Sequence, residues 1–79
     1  MKLPRDASGQ AVVKALCRDW GYRVVNQEGS HIVLETQEPS RHRTVVPDHK
    51  ALRVGTLNAI VRQVAHHKGV DRLEILRTF

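Results

Sequence analysis

The sequence predicts an α+β fold: a three-stranded antiparallel sheet with helices on one of its faces, followed by a short C-terminal helix. Two observations support this prediction. Apolar residues recur at helical spacing near the start of the chain and again after residue 55, and three strand-like segments bounded by turn residues lie between them. Helices that flank an antiparallel meander in this order pack together on one face of it. The chain has 79 residues, the length of one small domain, and we assign residues 1–79 to it.

The first helix is predicted over the segment GQAVVKALCRDW. Ser8 precedes it and suits the N-cap position, where a side-chain oxygen accepts a hydrogen bond from a free backbone N–H. Gly21 follows the segment and suits the C-terminal end of a helix. Upstream, Pro4 disfavours helix in the residue before it, so the opening KLPRDA is expected to be extended. The apolar residues at helical spacing are Val12, Val13, Leu16 and Trp20.

Three strands are predicted in the middle of the chain: YRVVNQ, HIVLET and RTVVP. The first two flank the turn residues Glu28 to Ser30, a spacing that is typical of a β-hairpin. Alternate residues of a strand point to opposite faces, so Ile32 and Leu34 share one face and His31 lies on the other. In a meander with one packed face, we expect the two apolar residues to point inward and His31 to point outward.

A second helix is predicted over TLNAIVRQVAHHK, which carries the strongest periodic pattern of the chain and is followed by Gly69. A short third helix is predicted to begin at Asp71, a suitable N-cap with Glu74 three residues later. We expect Leu73 and Leu76 of this helix to pack inward. The apolar stripe of the second helix consists of Leu57, Ile60, Val61 and Val64.

The chain is basic, which is consistent with two interpretations. Thirteen Lys and Arg residues against eight Asp and Glu residues give a formal net charge of +5. Such an excess is typical of proteins that neutralise phosphates, and it also fits a merely basic surface. Only three aromatic residues occur, which disfavours a protein that stacks successive bases of a single strand on rings.

The cysteine count and the hydropathy pattern indicate the cellular compartment in which the protein is expected. Cys17 is the only cysteine, which excludes an intramolecular disulfide and fits a reducing interior. Beside Leu16 in the first helix, it is expected to be a small buried apolar residue. No segment is long and apolar enough to be the core of a signal peptide or to cross a membrane. We therefore expect a cytoplasmic protein with no membrane partner.

Four of the five histidines suit structural roles. His66 and His67 diverge by about 100° on a helix, so they cannot chelate a metal as an i, i+4 pair would, and they suit the negative end of the helix dipole. His42 is expected to be solvated in a loop. His49 is expected either to pair locally with Asp48 or to act as a second proton-transfer group or phosphate contact. The acidic residues are too scattered to form a metal cluster, so no metal or cofactor is predicted.

Five stretches occur together in this chain: KLPRDASG, WGY, QEGSHIVL, TVVPDHKALRVGTLNAIVRQ and GVDRLEIL. With them the sequence resembles the HicA toxins of bacterial toxin–antitoxin pairs, also called YcfA-like proteins, over nearly its whole length. The resemblance implies an α-β-β-β-α relative of the double-stranded-RNA-binding domain. It also implies an mRNA interferase, an endoribonuclease that acts without the ribosome and is neutralised by a HicB antitoxin. Two departures are the fairly long loop TQEPSRHR and Ala11 in place of a capping-box glutamate.

The resemblance places the essential histidine at His31, after a glycine and a small residue that are here Gly29 and Ser30. RNA supplies its own nucleophile, the ribose 2′-hydroxyl, so such an enzyme needs a proton-transfer group and positive charge. Histidine suits proton transfer because its ordinary pKa is about 6.5. The glycine would let the RNA backbone approach, and the serine would bind a phosphate oxygen or stabilise the turn. Without the resemblance, the three-residue signal is weak, and an ordinary polar residue on an open sheet face is the favoured interpretation of His31.

The positive charge that this chemistry needs is assigned to neighbouring segments. Arg41, Arg43 and Lys50 are predicted to surround the site, and Lys14 and Arg18 on the exposed side of the first helix are predicted to follow the RNA backbone. Two alternatives stay open. A non-catalytic RNA-binding module needs the same fold and basic surface without proton transfer, and an adaptor that binds another protein needs no affinity for nucleic acid.

Overall fold

The structure, a computed structural model, describes residues 7–79. Its elements are α1 (Gly9–Asp19), β1 (Arg23–Glu28), β2 (His31–Thr36), β3 (His42–Pro47), α2 (Val54–Lys68) and α3 (Arg72–Leu76). The predicted α+β class and its α-β-β-β-α order are thereby confirmed. Residues 2–6 of the opening KLPRDA lie outside the described residues, so its extended conformation stays a prediction. In the part of the chain that is described, no helix is both long and apolar enough to cross a membrane.

The three strands form an antiparallel sheet in the order β1-β2-β3, which leaves β1 and β3 as its two edges. β2 and β3 pair without interruption along their whole length. The ladder between β1 and β2 is interrupted between Val24 and Asn26, where Val25 is the extra residue of a β-bulge. The two edges of the sheet therefore differ, since one is irregular and the other is regular.

β1 and β2 are joined by a two-residue turn made of Gly29 and Ser30. Gly29 has a φ of 56°, and no non-glycine residue within 7–79 has a positive φ, which is the sign pattern of a type II′ turn. A left-handed backbone here would be strained in a residue that carries a Cβ. The predicted hairpin is thereby confirmed, with a turn one residue shorter than the predicted one.

One face of the sheet packs against α1 and α2. Ile32 and Leu34 point to this face and are buried, whereas His31 is exposed on the other face, as the alternation of the strand predicts. Burying an apolar side chain of this size stabilises a fold by about 1.5–3 kcal/mol. The core is completed by residues of the helices and of β3, which include Val12, Leu16, Val46, Leu57, Ile60, Val61, Val64 and Ile75.

The predicted caps at Ser8, Gly69 and Asp71 agree with the structure, whereas α2 begins at Val54, two residues before its predicted start. The Ser8 side chain accepts a hydrogen bond from the backbone N–H of Ala11 at 3.0 Å, and the Asp71 side chain accepts one from the N–H of Leu73 at 3.0 Å. Gly69 ends α2 in a left-handed conformation with a φ of 69°. Side-chain acceptors of this kind stabilise a helix by about 1 kcal/mol each.

Two predictions about burial are wrong. Leu73 is 40% exposed, because α3 turns Ile75 and Leu76 toward the core and Leu73 lies about 200° around the helix from Ile75. Cys17 is exposed as well, since it lies about 100° from Leu16, at the edge of the buried face of α1. Partial desolvation raises the pKa of its thiol, so this cysteine is not an activated nucleophile.

The N-terminus of α1 lies directly on the backbone at the end of β3. Gly9 donates its backbone N–H to the carbonyl oxygen of His49 at 2.9 Å, and Leu52 donates its N–H to the carbonyl oxygen of Ala7 at 2.9 Å. A Cβ at position 9 would overlap the carbonyl oxygen of Pro47. This position therefore requires glycine, and the contact fixes α1 to the loop that follows β3.

Replacing Gly9 with alanine is expected to lower the free energy of unfolding by about 1–3 kcal/mol, the range typical of overpacking, because the backbone of β3 has to move. Gly55 is the matched control, since it also lies in the first turn of a helix and a Cβ there meets nothing within 4 Å. Gly55→Ala is expected to leave stability unchanged or to raise it by up to about 1 kcal/mol. Urea denaturation measures both changes, and equal effects would contradict the tight contact at Gly9.

Candidate functional site

The β1–β2 turn and the loop after β3 meet at one end of the sheet. Asp48 donates its backbone N–H to the carbonyl oxygen of Ser30 at 2.6 Å, which extends the β2–β3 ladder by one pair. The Asp48 side chain accepts a hydrogen bond from Nε2 of Gln10 in α1 at 3.0 Å. Three segments that are distant in sequence are thus joined here. This region is termed the hairpin end and consists of residues 9, 10, 29–31 and 47–50.

His31 lies at the hairpin end and is exposed on the open face of the sheet. It is the first residue of β2, and its position in the alternation sets it on the face opposite to Ile32 and the helices. Glu28 lies directly opposite on β1, and Pro47 lies directly opposite on β3. The imidazole is therefore accessible from the open face without any rearrangement of the core.

Glu28, predicted as the first residue of the turn, is instead the last residue of β1 and borders the hairpin end. Side chains directly opposite in an antiparallel pair have Cβ atoms about 4.5–5.5 Å apart, so Glu28 is the cross-strand neighbour of His31 on β1. The pairing of Glu28 with His31 follows from the length of the turn, because the two residues that flank a two-residue turn pair with each other.

His49 and Lys50 follow Asp48 at the hairpin end, and both are exposed. Within residues 7–79, the Asp48 side chain has Gln10 as its hydrogen-bond partner and not His49. The expected local pairing of His49 with Asp48 is therefore not observed, whereas the backbone carbonyl of His49 is held by Gly9. The proton-transfer and phosphate-contact roles of His49 stay predictions.

Arg41 and Arg43 lie at the other end of the sheet, contrary to the expectation that they surround His31. Both donate from Nε to Oε1 of Glu35, at 2.8 and 3.0 Å, and Gln37 donates to Oε2 of Glu35 at 3.1 Å. Glu35 is four residues along β2 from His31, or about 13 Å at the usual rise of a strand. The register of the β2–β3 ladder is the physical reason for this separation. A contact of these arginines with RNA stays a prediction.

Glu35 is the centre of a charged cluster on the open face. The guanidinium groups of Arg43 and Arg41 hold the pKa of its carboxyl below the ordinary value. The side chains around it leave Glu35 only 8% exposed. Two arginines thus bind one carboxylate, and Arg23 is the residue paired with Glu35 on β1, so this part of the sheet carries a net positive charge.

The two basic residues predicted on α1 have different surroundings. Lys14 is exposed in the middle of the helix. Arg18 forms a salt bridge with Asp19 at 2.8 Å and donates to the carbonyl oxygen of Thr78 at 3.0 Å. These contacts hold Arg18 at the C-terminal end of α1, whereas the hairpin end lies at the N-terminal end of the same helix. Arg18 therefore has local partners that compete with a phosphate.

A second group of titratable side chains lies where β3 begins and α2 ends. The rings of His42 and His67 stack with their centroids 4.4 Å apart, and Nδ1 of His42 lies 3.0 Å from the hydroxyl of Tyr22. Nε2 of His67 donates to the carbonyl oxygen of Ser40 at 2.9 Å. The expectation that His42 is solvated in a loop is therefore wrong: it is the first residue of β3, and it is partly buried against α2.

The surroundings of His42 disfavour its protonated form. Burial first, and then the nearby His67 and Lys68, lowers the pKa of His42. Burial raises the pKa of Tyr22 to about 12, so its hydroxyl stays protonated. Lys68 lies 5.1 Å from the centroid of the Tyr22 ring and donates to Oγ1 of Thr36 at 2.9 Å. These contacts join β2, β3 and α2, which indicates a structural role.

The histidines at the end of α2 show no metal-binding arrangement among residues 7–79. His66 and His67 lie in the last turn of α2, as predicted. Among the residues from 7 onward, no group of three or more His, Cys, Asp or Glu residues is arranged to hold a metal ion.

Residues 9–65 match a family model described as the HicA toxin of bacterial toxin-antitoxin. The matched segment comprises 57 of the 79 residues, from the start of α1 to near the end of α2, and it includes the whole hairpin end. Comparisons with curated proteins and with solved structures gave no significant match.

The stacked histidines predict how stability depends on pH. His42 binds a proton less readily in the folded chain than in the unfolded chain, so the unfolded state takes up more protons as the pH falls below about 6.5. The free energy of unfolding is therefore expected to fall between pH 6.5 and 5, and to fall less in His42→Gln. Glu35 has a lowered pKa and loses its contribution only below its ordinary value of 4.5, outside this window. Thermal unfolding from pH 5 to 8 measures the difference, and identical pH profiles would contradict this role of His42.

Proposed function

The chain belongs to the HicA toxins of bacterial toxin–antitoxin systems, and on this premise we propose that it is an endoribonuclease that cuts mRNA with His31 as a proton-transfer residue. The observation that supports the proposal most strongly is the position of His31. Its exposed imidazole belongs to the first residue after the β1–β2 turn and lies on the open face of the sheet. It is also the histidine that the Gly-Ser-His resemblance marks. Because mRNA is the proposed substrate, the cytoplasm is the proposed place of action.

The hairpin end has room for a phosphodiester next to this imidazole. A Cβ at Gly29 meets nothing within 4 Å, so the space around the turn is open to an RNA backbone. Ser30 is exposed, and its hydroxyl can donate a hydrogen bond to a phosphate oxygen. Lys50 supplies positive charge in the same region, where it stabilises the additional negative charge of the transition state.

The proposed cleavage requires that one proton is removed from the attacking hydroxyl and that one proton is delivered to the leaving oxygen. A base takes the proton of the ribose 2′-hydroxyl while its oxygen forms a bond to phosphorus. The bond from phosphorus to the 5′-oxygen then breaks, and an acid protonates the leaving oxygen. The products are a 2′,3′-cyclic phosphate and a 5′-hydroxyl end. His31 acts as one of these two groups, and the exposed His49 at the same end of the sheet is the proposed second group.

A HicB-type antitoxin is the proposed protein partner. A toxin of a toxin–antitoxin system has an antitoxin, and the +5 charge of this chain favours an acidic one. His31 is exposed, so inhibition has to come from a partner that covers the open face. We therefore propose that the antitoxin excludes RNA from the hairpin end.

His31→Ala is expected to lower the rate of RNA cleavage by at least about 10²-fold, the effect of one positioned acid–base group, and to leave RNA affinity largely unchanged. Cleavage of a labelled RNA in the presence of a chelator measures the rate, and the product ends are tested for 2′,3′-cyclic phosphate. The matched control is His66→Ala, which removes an exposed histidine of α2.

Two outcomes of this experiment would contradict the proposal. RNA that is retarded but not cut by the wild-type protein would favour the non-catalytic RNA-binding module. Full activity of His31→Ala, with wild-type folding confirmed by circular dichroism, would exclude His31 as the proton-transfer residue.

The basic residues are expected to differ in their contribution to RNA affinity. Lys50→Ala is expected to reduce the slope of log K against log salt concentration by about 0.7, the value for one phosphate contact on a single strand. Arg18→Ala is the matched control and is expected to leave this slope unchanged, because Arg18 is held by Asp19 and Thr78. Fluorescence anisotropy on the His31→Ala background measures binding without cleavage. A larger effect of Arg18→Ala would contradict binding of RNA at the hairpin end.

A further inference from the structure

β3 is an edge strand with outward backbone groups that have no partner within residues 7–79. The hydrogen bond from Asp48 to Ser30 shows which residues of β3 direct their backbone N–H and C=O groups toward β2. Hydrogen-bonded pairs alternate along an antiparallel ladder, so the even-numbered residues of β3 bond to β2. Arg43 and Val45 therefore direct their N–H and C=O groups away from the sheet. These two residues make no backbone hydrogen bond outside the ladder in the described part of the chain.

The two edges of the sheet differ in how well they accept another strand. The bulge at Val25 interrupts β1 and increases its local twist, which protects that edge. β3 pairs with β2 in unbroken register over six residues, and Val45 at its centre is 46% exposed. Pro47 has no N–H and ends the outward row beside the hairpin end. A regular edge with unpaired backbone groups is a template for a strand of another chain.

An open groove of about 540 Å³ lies along this edge, between β3 and α2. The helix side of the groove is formed largely by small residues, Gly55, Thr56 and Ala59, and a Cβ at Gly55 meets nothing within 4 Å. A strand that pairs with β3 lies about 4.8 Å from it, which is inside the groove. Alternate side chains of such a strand would rest against α2, and the others would extend the open face of the sheet.

We propose that the β3 edge is the docking site of the antitoxin, and that an acidic, extended segment of that protein adds to it as a fourth strand. This inference rests on the proposed function for the existence of the partner. Charge complementarity selects the occupant: Arg43 lines the groove, Arg62 lines its continuation along α2, and the chain carries a charge of +5. These charges favour Asp and Glu in the added strand and disfavour a second copy of the same basic chain. Backbone pairing supplies affinity, and the alternate side chains supply specificity.

A strand of the antitoxin bound at the β3 edge also brings the antitoxin close to the proposed active site. Pro47 is the residue of β3 opposite His31, so the added strand runs two strand spacings, about 10 Å, from the strand that carries His31. The antitoxin that continues from this strand then lies over the open face near the hairpin end. RNA is excluded by occupied space, and no side chain of the antitoxin needs to bind the imidazole.

The backbone N–H of Val45 is the group that the test removes. Val45→Pro deletes one outward N–H and leaves the β2–β3 ladder intact, and proline is tolerated at such an edge position. Val45→Ala is the matched control, because it shortens the side chain and keeps the N–H. The probe is the purified product of the gene adjacent to the toxin gene. We expect Val45→Pro to weaken its binding by about tenfold, as the loss of one hydrogen bond does, and Val45→Ala to weaken it much less.

Hydrogen–deuterium exchange of the wild-type proteins supplies a measurement that does not depend on the folding of a variant. We expect the amides of Arg43 and Val45 to exchange rapidly in the free toxin and to be protected in the complex, with β1 unchanged. Protection on β1 in place of β3, or binding of Val45→Pro as tight as that of the wild type, would overturn the proposal. A toxin homodimer that is lost in Val45→Pro would assign the edge to a second copy and would also overturn it.

RNA cleavage by Val45→Pro separates this inference from the proposed function. Val45 takes no part in the proposed chemistry, so the variant is expected to cut RNA and to escape neutralisation by the same gene product. If the wild-type protein cuts no RNA but binds that product through β3, the proposed function fails and the docking site stands. If cleavage occurs and β3 stays unprotected in the complex, the docking site fails and the proposed function stands.

Discussion

The close contact between the first turn of α1 and the end of β3 holds the hairpin end together. Gly9 can lie on the carbonyl of Pro47 only because it has no side chain, and the neighbouring Gln10 binds Asp48 across a sequence separation of 38 residues. The backbone of Asp48 in turn holds Ser30. The position of the proposed catalytic histidine relative to the loop after β3 is therefore fixed by residues that take no part in the chemistry. A small protein can position reactive groups on its surface in this way.

The alternation of β-strands determines most of what this sheet can do. Because successive side chains point to opposite faces, the alternation that buries Ile32 and Leu34 also exposes His31. The same alternation in the backbone turns the N–H groups of Arg43 and Val45 outward, while Thr44 between them bonds to β2. The packed core thus sets the orientation of the proposed active site and of the proposed docking edge.

Most of the fold could be predicted from the sequence because its signals are local. Helix caps such as Ser8, Gly69 and Asp71 depend on a few adjacent residues, and the inward direction of Ile32 follows from alternation within one strand. The exposed position of Leu73 was missed because α3 is too short for a periodic pattern.

The site was less predictable, because its geometry depends on pairing between strands. Arg43 is close to His31 in neither sequence nor space, and only the register of β3 against β2 shows that it pairs with Glu35. The separate register of β1 against β2 brings Glu28 opposite His31 across the turn. His42 was assigned to a loop because its burial comes from a ring of α2, 25 positions later in the chain. The position of His31 itself was predictable from the hairpin signal and from the resemblance.

The bulge in β1 also limits self-association. A small protein with two regular edges can join β3 of one molecule to β1 of the next, and a head-to-tail contact of this kind repeats without closing and grows into a filament. Val25 breaks the straight row of backbone groups on one side, so each molecule offers a continuous row on the other side alone. An inner member of a filament would need a second regular edge, so the bulge disfavours polymerisation through the sheet.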